Sequence, residues 1–344
     1  MKILMIGLGG VGQRHVRNLR VLLGDKADII AYRARGLLHV VTPALAADTS
    51  RNVESEYSIR VFDSLDAALG EHPEIAIVCN PSSLHVPVTN ACIQAGCDVL
   101  IEKPVSDSLD GAQELTLAIA KHGRIAMVGY QLRFHPCLRK LAETLSNGIL
   151  GHSLSVRATI GEYLPAWHPY EDYRHMYAAR ADLGGGVVLS QIHEFDYLYS
   201  LFGLPKRVFA IGGHWSDLDI DVEDTASILM ECRIEDRQLP IHLHQDYLQS
   251  PPCRQCEVIG DRGRAVMDLH AMTVSIWRRG DERPEVYEFA GFERNQLFMD
   301  ELRHFLDCVK TRNRPVVDLI DGLQSLRMAL AAKRSMKTGQ PVEL

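Results

Sequence analysis

The chain has 344 residues, 46% hydrophobic and 24% charged, with a formal net charge of −7. That length suits two cores rather than one, and the excess of acid argues against nucleic acid as a partner. No run approaches the ~18 apolar residues of a membrane span, and the glycine-broken start KILMIGLGGVG lacks the cleavage site of a signal peptide.

KILMIG reads as a strand, VGQRHVRNLRVLL as a helix and ADIIAYR as a second strand. SIRVFDSLDAALG, EIAIVCN, VPVTNACIQAG, DVLIEKP, DGAQELTLAIAKHG and RIAMVGY follow. Near-continuous apolar strands separated by helices imply a parallel sheet covered on both faces. From about residue 151 the texture changes to alternating runs with turn dipeptides, among them HSLSVRATIGEY, DTASILMECR, PIHLHQDYL and TVSIWRR. These predict antiparallel hairpins, and two helices, NQLFMDELRHFLDCVK and GLQSLRMALAAKRSMK, close the chain. The expected architecture is α/β: a doubly wound parallel sheet over 1–125, then an α+β domain with a mostly antiparallel sheet over 126–344.

The eight cysteines are scattered, several in apolar surroundings, as in a reduced cytoplasmic protein. Cys253 and Cys256 form a lone C-x-x-C; without a second pair no metal is expected.

In GLGGVG, Gly7, Gly9 and Gly12 make the G-x-G-x-x-G pattern, with Gly10 and Val11 between them. Following a strand and opening a helix, it predicts a Rossmann dinucleotide site with the pyrophosphate on the helix N-terminus; a glycine-rich turn without ligand is the alternative. About twenty residues on, where an acid would bind the ribose of NAD, the chain has Arg33 and Arg35. Arginine suits a 2′-phosphate, so NADP(H) is favoured, with NAD(H) and two merely solvated arginines left open.

These motifs, with His15, NPSSLH (80–85), AGCDVLIEKP (95–104), GYQLRFHP (129–136) and GGGVVLSQIHEFD (184–196), occur in an order that resembles the glucose–fructose oxidoreductase / inositol dehydrogenase / rhizopine catabolism family of pyridine-nucleotide oxidoreductases. YLPAWHPYEDYR (163–174) is similar to a branch of that family associated with bacterial surface-sugar and nonulosonic-acid pathways. The resemblance implies a C-terminal domain with a large open sheet, and hydride transfer between nicotinamide and a sugar or nucleotide-sugar carbon. It places Asn80, Pro81 and His85 along the cofactor, Glu102 and Lys103 at the nicotinamide, and Arg133 near the substrate. It also implies a homodimer or homotetramer paired through the second-domain sheet. An NAD-recycling glycosidase and a non-catalytic dinucleotide sensor are the alternatives on the same scaffold.

Lys103 has its own physical case, because it ends an apolar strand where open parallel sheets bind ligands. A lysine desolvated there, or set near a positive nicotinamide, could trade a proton with a substrate hydroxyl. The resemblance gives Lys103 a histidine partner, His193, on a second-domain helix. Helical spacing puts Asp196 on the face of His193, where it could orient the imidazole. Relatives often carry Asp four residues before that histidine; here Leu189 and Ser190 stand in its place. Tyr163, Trp167, His168 and Arg174 have the chemistry of a sugar-binding loop: rings to stack on and a cation for an acid group.

Overall fold

The computed structural model describes residues 1–344 apart from Arg35, Leu37 and Glu235. The first half alternates strand and helix: β1 (Lys2–Ile6), α1 (Gly10–Leu23), β2 (Asp28–Tyr32), a short hairpin of β3 (His39–Val41) and β4 (Ala47–Asn52), and α2 (Val53–Tyr57). β5 (Arg60–Phe62), α3 (Leu65–Leu69), β6 (Ile75–Val78), α4 (His85–Gln94), β7 (Asp98–Glu102), α5 (Ala112–His122) and β8 (Ala126–Gly129) follow.

Six of these strands form an all-parallel sheet in the order β5-β2-β1-β6-β7-β8. Numbered by its own strands, that is the 3-2-1-4-5-6 order of a Rossmann sheet, whose direction reverses between β1 and β6. Ile3, Leu4, Met5 and Ile6, and all of β6 and β7, are buried on both faces, which is why the strands read as unbroken apolar runs. β8 pairs with β7, so the first sheet continues through Gly129 and the expected break after residue 125 falls before its last strand.

After α6 (Pro136–Ser146) the chain enters a nine-stranded sheet: β9 (Ser153–Gly161), then, beyond α7 (Val187–Ser190) and α8 (His193–Phe202), β10 (Arg207–Gly213), β11 (Thr225–Ile234), β12 (Arg237–Asp246), β13 (Cys253–Gly260), β14 (Gly263–Asp268), β15 (Thr273–Arg278) and β16 (Glu285–Glu288). The sheet is antiparallel except where β12 runs parallel to β9, and β17 (Val342–Glu343) completes one edge. Along β11, Ile228, Met230 and Cys232 are buried while Leu229 is 54% exposed, the alternation of a sheet covered on one face only. Cys253 and Cys256 lie at positions of opposite parity on β13 and so project from opposite faces.

The last two helices, α9 (Arg294–Thr311) and α10 (Leu319–Thr338), tie the halves together. On α9, Asn295 exchanges side-chain hydrogen bonds with Asn18 of α1, and Arg312 just beyond it binds the Asp98 carboxylate at the start of β7. Asp318 caps α10 by accepting from the Asp321 N–H at 3.0 Å. Beside it, the Val317 carbonyl accepts from the Val128 N–H, so the chain lies along the outer edge of β8.

Candidate active site

The Rossmann crevice opens between the loops that follow β1 and β6. Gly7 has φ +95, and a Cβ there would stand 2.8 Å from the Cys79 carbonyl oxygen. A Cβ on Gly12 would stand 2.3 Å from the Gly7 oxygen, so the helix and turn touch only because both residues are glycine. A Cβ on Gly9 would meet nothing within 4 Å, which leaves the N-terminus of α1 open to a phosphate. Gly10 lies under the hydroxyl of Tyr170, reaching across from the second half. Asn80 adds a buried side-chain oxygen with no partner. These residues fit a dinucleotide.

Two expected cofactor contacts are otherwise occupied. The Arg33 guanidinium, 8% exposed, is ion-paired with Glu54, so it is not held open for a ribose phosphate. Arg35 lies outside the described residues. His85 is buried, with Nδ1 2.7 Å from the Pro104 carbonyl and Nε2 2.8 Å from that of Asn80. Its role is to fasten the loop carrying Asn80 and Pro81 to the one carrying Lys103, rather than to touch a ligand with its ring nitrogens. The Lys103–Pro104 peptide is cis.

Lys103 extends from the end of β7 and donates from Nζ to the main-chain oxygen of Ser190, 2.6 Å away. That carbonyl is available because α7 stops at Ser190 and α8 begins only at His193, and the glycines before α7 pack tightly. A Cβ on Gly185 would stand 2.3 Å from the Tyr177 oxygen, a contact no other residue allows. Where relatives often carry an acidic side chain, Leu189 is buried and apolar, and a main-chain carbonyl holds the lysine instead.

His193 is the first residue of α8, so it opens this helix rather than closing one. The imidazole is 5% exposed, lies edge-on to Tyr130 at 5.6 Å, and forms no hydrogen bond among the described residues; Nδ1 is fully enclosed. Burial, followed by the positive charges of Lys103, Arg254 and Arg294, drives its pKa well below the usual 6.5. The ring is neutral at pH 7.

The two carboxylates after His193 do not serve it. Asp196 is bound bidentately by Arg133, with Nε–Oδ2 at 2.6 Å and a second bond to Oδ1 at 2.9 Å. Glu194 is bound by Arg254 at 2.7 and 2.9 Å. Both carboxylates are fully buried. The expectation that Asp196 orients the imidazole fails because Arg133 takes both oxygens. Arg133 and Asp196 form an internal clamp instead of a pair of substrate ligands.

In the 163–174 segment, Tyr163 is exposed, and Trp167 packs edge-on against Tyr247 with its indole N–H buried and unpaired. His168 donates from Nδ1 to Glu171 Oε1 at 2.9 Å and stacks on Tyr170 with ring centroids 5.3 Å apart. Arg174 turns to Asp172, away from any free role as an anion ligand. Tyr170, which meets the dinucleotide loop, is the residue that composition alone did not single out.

Behind Lys103 lies a second missed group. Glu102 bonds through Oε1 to Nε2 of His15 at 2.7 Å, and Glu301 of α9 faces both. Glu301 is fully buried, and neither of its oxygens has a partner. Burial and then the nearby Glu102 charge push its pKa well above 4.5, which favours the protonated acid. One imidazole and two carboxylates whose ligand atoms lie within 4.8 Å of one another could hold a small cation; the raised proton affinity of Glu301 favours the neutral acid. No sequence spacing connects His15, Glu102 and Glu301. Only the return of α9 onto α1 brings them together.

Residues 1–130 match the model of an oxidoreductase family's NAD-binding Rossmann fold, and residues 142–344 match the same family's C-terminal alpha/beta domain. The chain belongs to the Gfo/Idh/MocA oxidoreductase family. Among its relatives, myo-inositol 2-dehydrogenase of Thermotoga maritima is 27% identical, over 100% of this chain and 98% of that one. Two solved structures share the fold of this family member. One is the UDP-N-acetylglucosamine 3-dehydrogenase GnnA from Acidithiobacillus ferrooxidans, with TM-score 0.77, 21% identity and 98% of each chain covered. The other is the WlbA dehydrogenase from Bordetella pertussis in complex with NADH and UDP-GlcNAcA, with TM-score 0.80, 20% identity, and 100% of this chain and 98% of that chain covered. The protein is thus an oxidoreductase with an NAD-binding Rossmann fold. Among the described residues, no helix is long and apolar enough to cross a membrane.

Proposed function

We propose that this oxidoreductase transfers hydride between a nicotinamide dinucleotide and a hydroxyl- or keto-bearing carbon of a sugar or nucleotide sugar. The observation that carries this reading is the 2.6 Å bond that fixes the Lys103 ammonium to the Ser190 carbonyl, on the segment leading into a neutral, unpartnered His193. The bound dinucleotide supplies the hydride donor or acceptor. The chain supplies a donor and an acceptor for one oxygen. Lys103 directs N–H bonds at the substrate oxygen and stabilises negative charge as it develops. His193, unprotonated, accepts the hydrogen bond of the hydroxyl and holds it in place; the pair between them moves the proton. The ring faces of the 163–174 segment are the apolar surface near this point.

Sugar chemistry is supported by the inositol and UDP-sugar dehydrogenases among the relatives and fold neighbours. With Arg33 committed to Glu54, a preference for NADP(H) over NAD(H) rests on Arg35 alone. We read the open face of the nine-stranded sheet, where Ile211 is 56% and Leu229 54% exposed, as the surface that pairs with a second copy. The function is tested by following cofactor reduction with NAD+ and NADP+ against a panel of inositols, free sugars and UDP-sugars. Turnover of none of them, or full turnover by Lys103→Ala, would remove the reading. Light scattering of wild type and Leu229→Glu tests the pairing, with the variant expected to dissociate.

A further inference from the structure

Two arginines near the cleft have no assigned task. Arg14 lies on α1, two residues beyond the last glycine of the dinucleotide loop, and its guanidinium carbon sits 4.4 Å from the centroid of the Phe298 ring. Arg294 opens α9, one helical turn before Phe298 and so on the same face. Neither has a carboxylate partner among the described residues, whereas Arg33, Arg133, Arg174 and Arg254 all do. Arg294 begins an 18-residue helix whose first turn contains no acid and whose cap residue makes no side-chain bond. The Gln296 N–H is taken by the Glu293 carbonyl, which leaves those of Arg294 and Asn295 at the helix start.

The surroundings are unbalanced towards positive charge. Burial, then the charges of Arg294 and Arg17, pull the Arg14 guanidinium down to about 10, and Glu102 and Tyr170 offset this only in part. Arg17 spends a donor on the Val41 carbonyl, so it does not complete the pair. The charge of Arg294 is also felt at His193, and the Tyr170 hydroxyl closes over Gly10 beside Arg14. Arg14, just beyond the dinucleotide loop, and Arg294, on the Phe298 face of α9, thus make a pair of like charges close enough to act on each other. A guanidinium fork left without a counter-ion matches a planar carboxylate or a phosphate.

We propose that Arg14 and Arg294 form an anion-binding site that takes a phosphate or carboxylate group presented at the cleft between the dinucleotide loop and His193. Two sources carry that chemistry: the pyrophosphate of the cofactor, and a charged group on the substrate, such as the diphosphate of a nucleotide sugar or the carboxylate of a sugar acid. Assigning the anion to a substrate rests on the hydride-transfer reading above; the existence of the site does not.

The test measures binding, so it does not depend on turnover. NAD+ affinity is measured first, and inorganic pyrophosphate and gluconate are then titrated against protein saturated with NAD+, for wild type, Arg14→Gln, Arg294→Gln and Arg14→Lys. A substrate site predicts that at least one probe binds in a salt-sensitive manner. Each Gln variant then weakens that binding about tenfold, and NAD+ affinity is unchanged. A cofactor site predicts instead that the Gln variants weaken NAD+ about tenfold. Arg14→Lys, which keeps the charge and loses the fork, is expected between wild type and Arg14→Gln in either case. Arg294 is exposed, so its variant reports even where loss of packing on Phe298 unfolds Arg14→Gln. Variants that leave NAD+ and both probes within about twofold of wild type overturn the proposal. Wild type that fails to bind NAD+ refutes the hydride-transfer reading; the probes are then titrated alone, and the site stands or falls on the same variants.

Discussion

Two regions beside the active site bury carboxyl groups to the same extent and manage them in opposite ways. At the start of α8, Glu194 and Asp196 each face an arginine fork, Arg254 and Arg133. Behind the end of β7, Glu301 faces another carboxylate, Glu102, and finds no hydrogen-bond partner. A buried carboxylate needs a counter-charge or a proton. The first region supplies the charge and the second keeps the proton. At His193, burial and the charges of Lys103, Arg254 and Arg294 keep the imidazole neutral.

The largest expected effect comes from removing the pair proposed to move the proton. Lys103→Ala and His193→Asn should each lower kcat by about 10²–10⁴-fold, with far-ultraviolet circular dichroism unchanged. Next is the clamp. Arg133→Leu leaves the Asp196 carboxylate buried without a partner and should cost about 3–5 kcal/mol in urea unfolding. Adding Asp196→Leu should recover most of that loss, as expected for an internal pair with no ligand duty.

The proton-holding region is predicted to lose stability as pH rises. The pKa of Glu301 is raised in the folded state, so its contribution is complete below the unfolded carboxylate value of about 4.3 and is lost as pH rises. Glu301→Gln, which mimics the neutral acid, should therefore melt a few degrees above wild type at about pH 8. The difference should shrink towards zero near pH 4. A Gln variant that is less stable at every pH would show that a charged or cation-bound Glu301 is needed.

A smaller effect concerns His193 itself. Its imidazole titration, followed by NMR, should lie below 6.5, and Lys103→Met should move it upward by removing one of the charges that depress it. Smallest is Glu54→Gln. Releasing Arg33 should raise the kcat/KM ratio of NADP+ to NAD+ a few-fold if that arginine can reach the ribose.

Much of this was legible in the sequence. Apolar runs buried on both faces gave the parallel sheet, and alternation gave the second one. The glycine pattern located the crevice, and the end of β7 located Lys103. What could not be read were the partners that other chain segments bring. Helical spacing correctly put Asp196 on one face of α8, but Arg133, 63 residues earlier, already holds its carboxylate. Arg33 looked free because Glu54 lies on the far side of a hairpin. The break between Ser190 and His193 carries no glycine or proline to mark it, so nothing in the sequence shows that His193 opens a new helix. Nothing in the spacing around Glu301 names His15 or Glu102 as its neighbours; the return of α9 onto α1 brings them together.

That return also affects how the molecule behaves among its copies. β8 is the last strand of the parallel sheet, and a bare outer strand would offer a row of N–H and C=O groups to any passing extended chain. The Val128–Val317 hydrogen bond and the bridge between Met127 and Asp318 occupy part of that row. The segment leading into the final helix therefore acts as a sheath. Without it, the N–H and C=O groups of Met127 and Val128 would stand open to a passing extended chain.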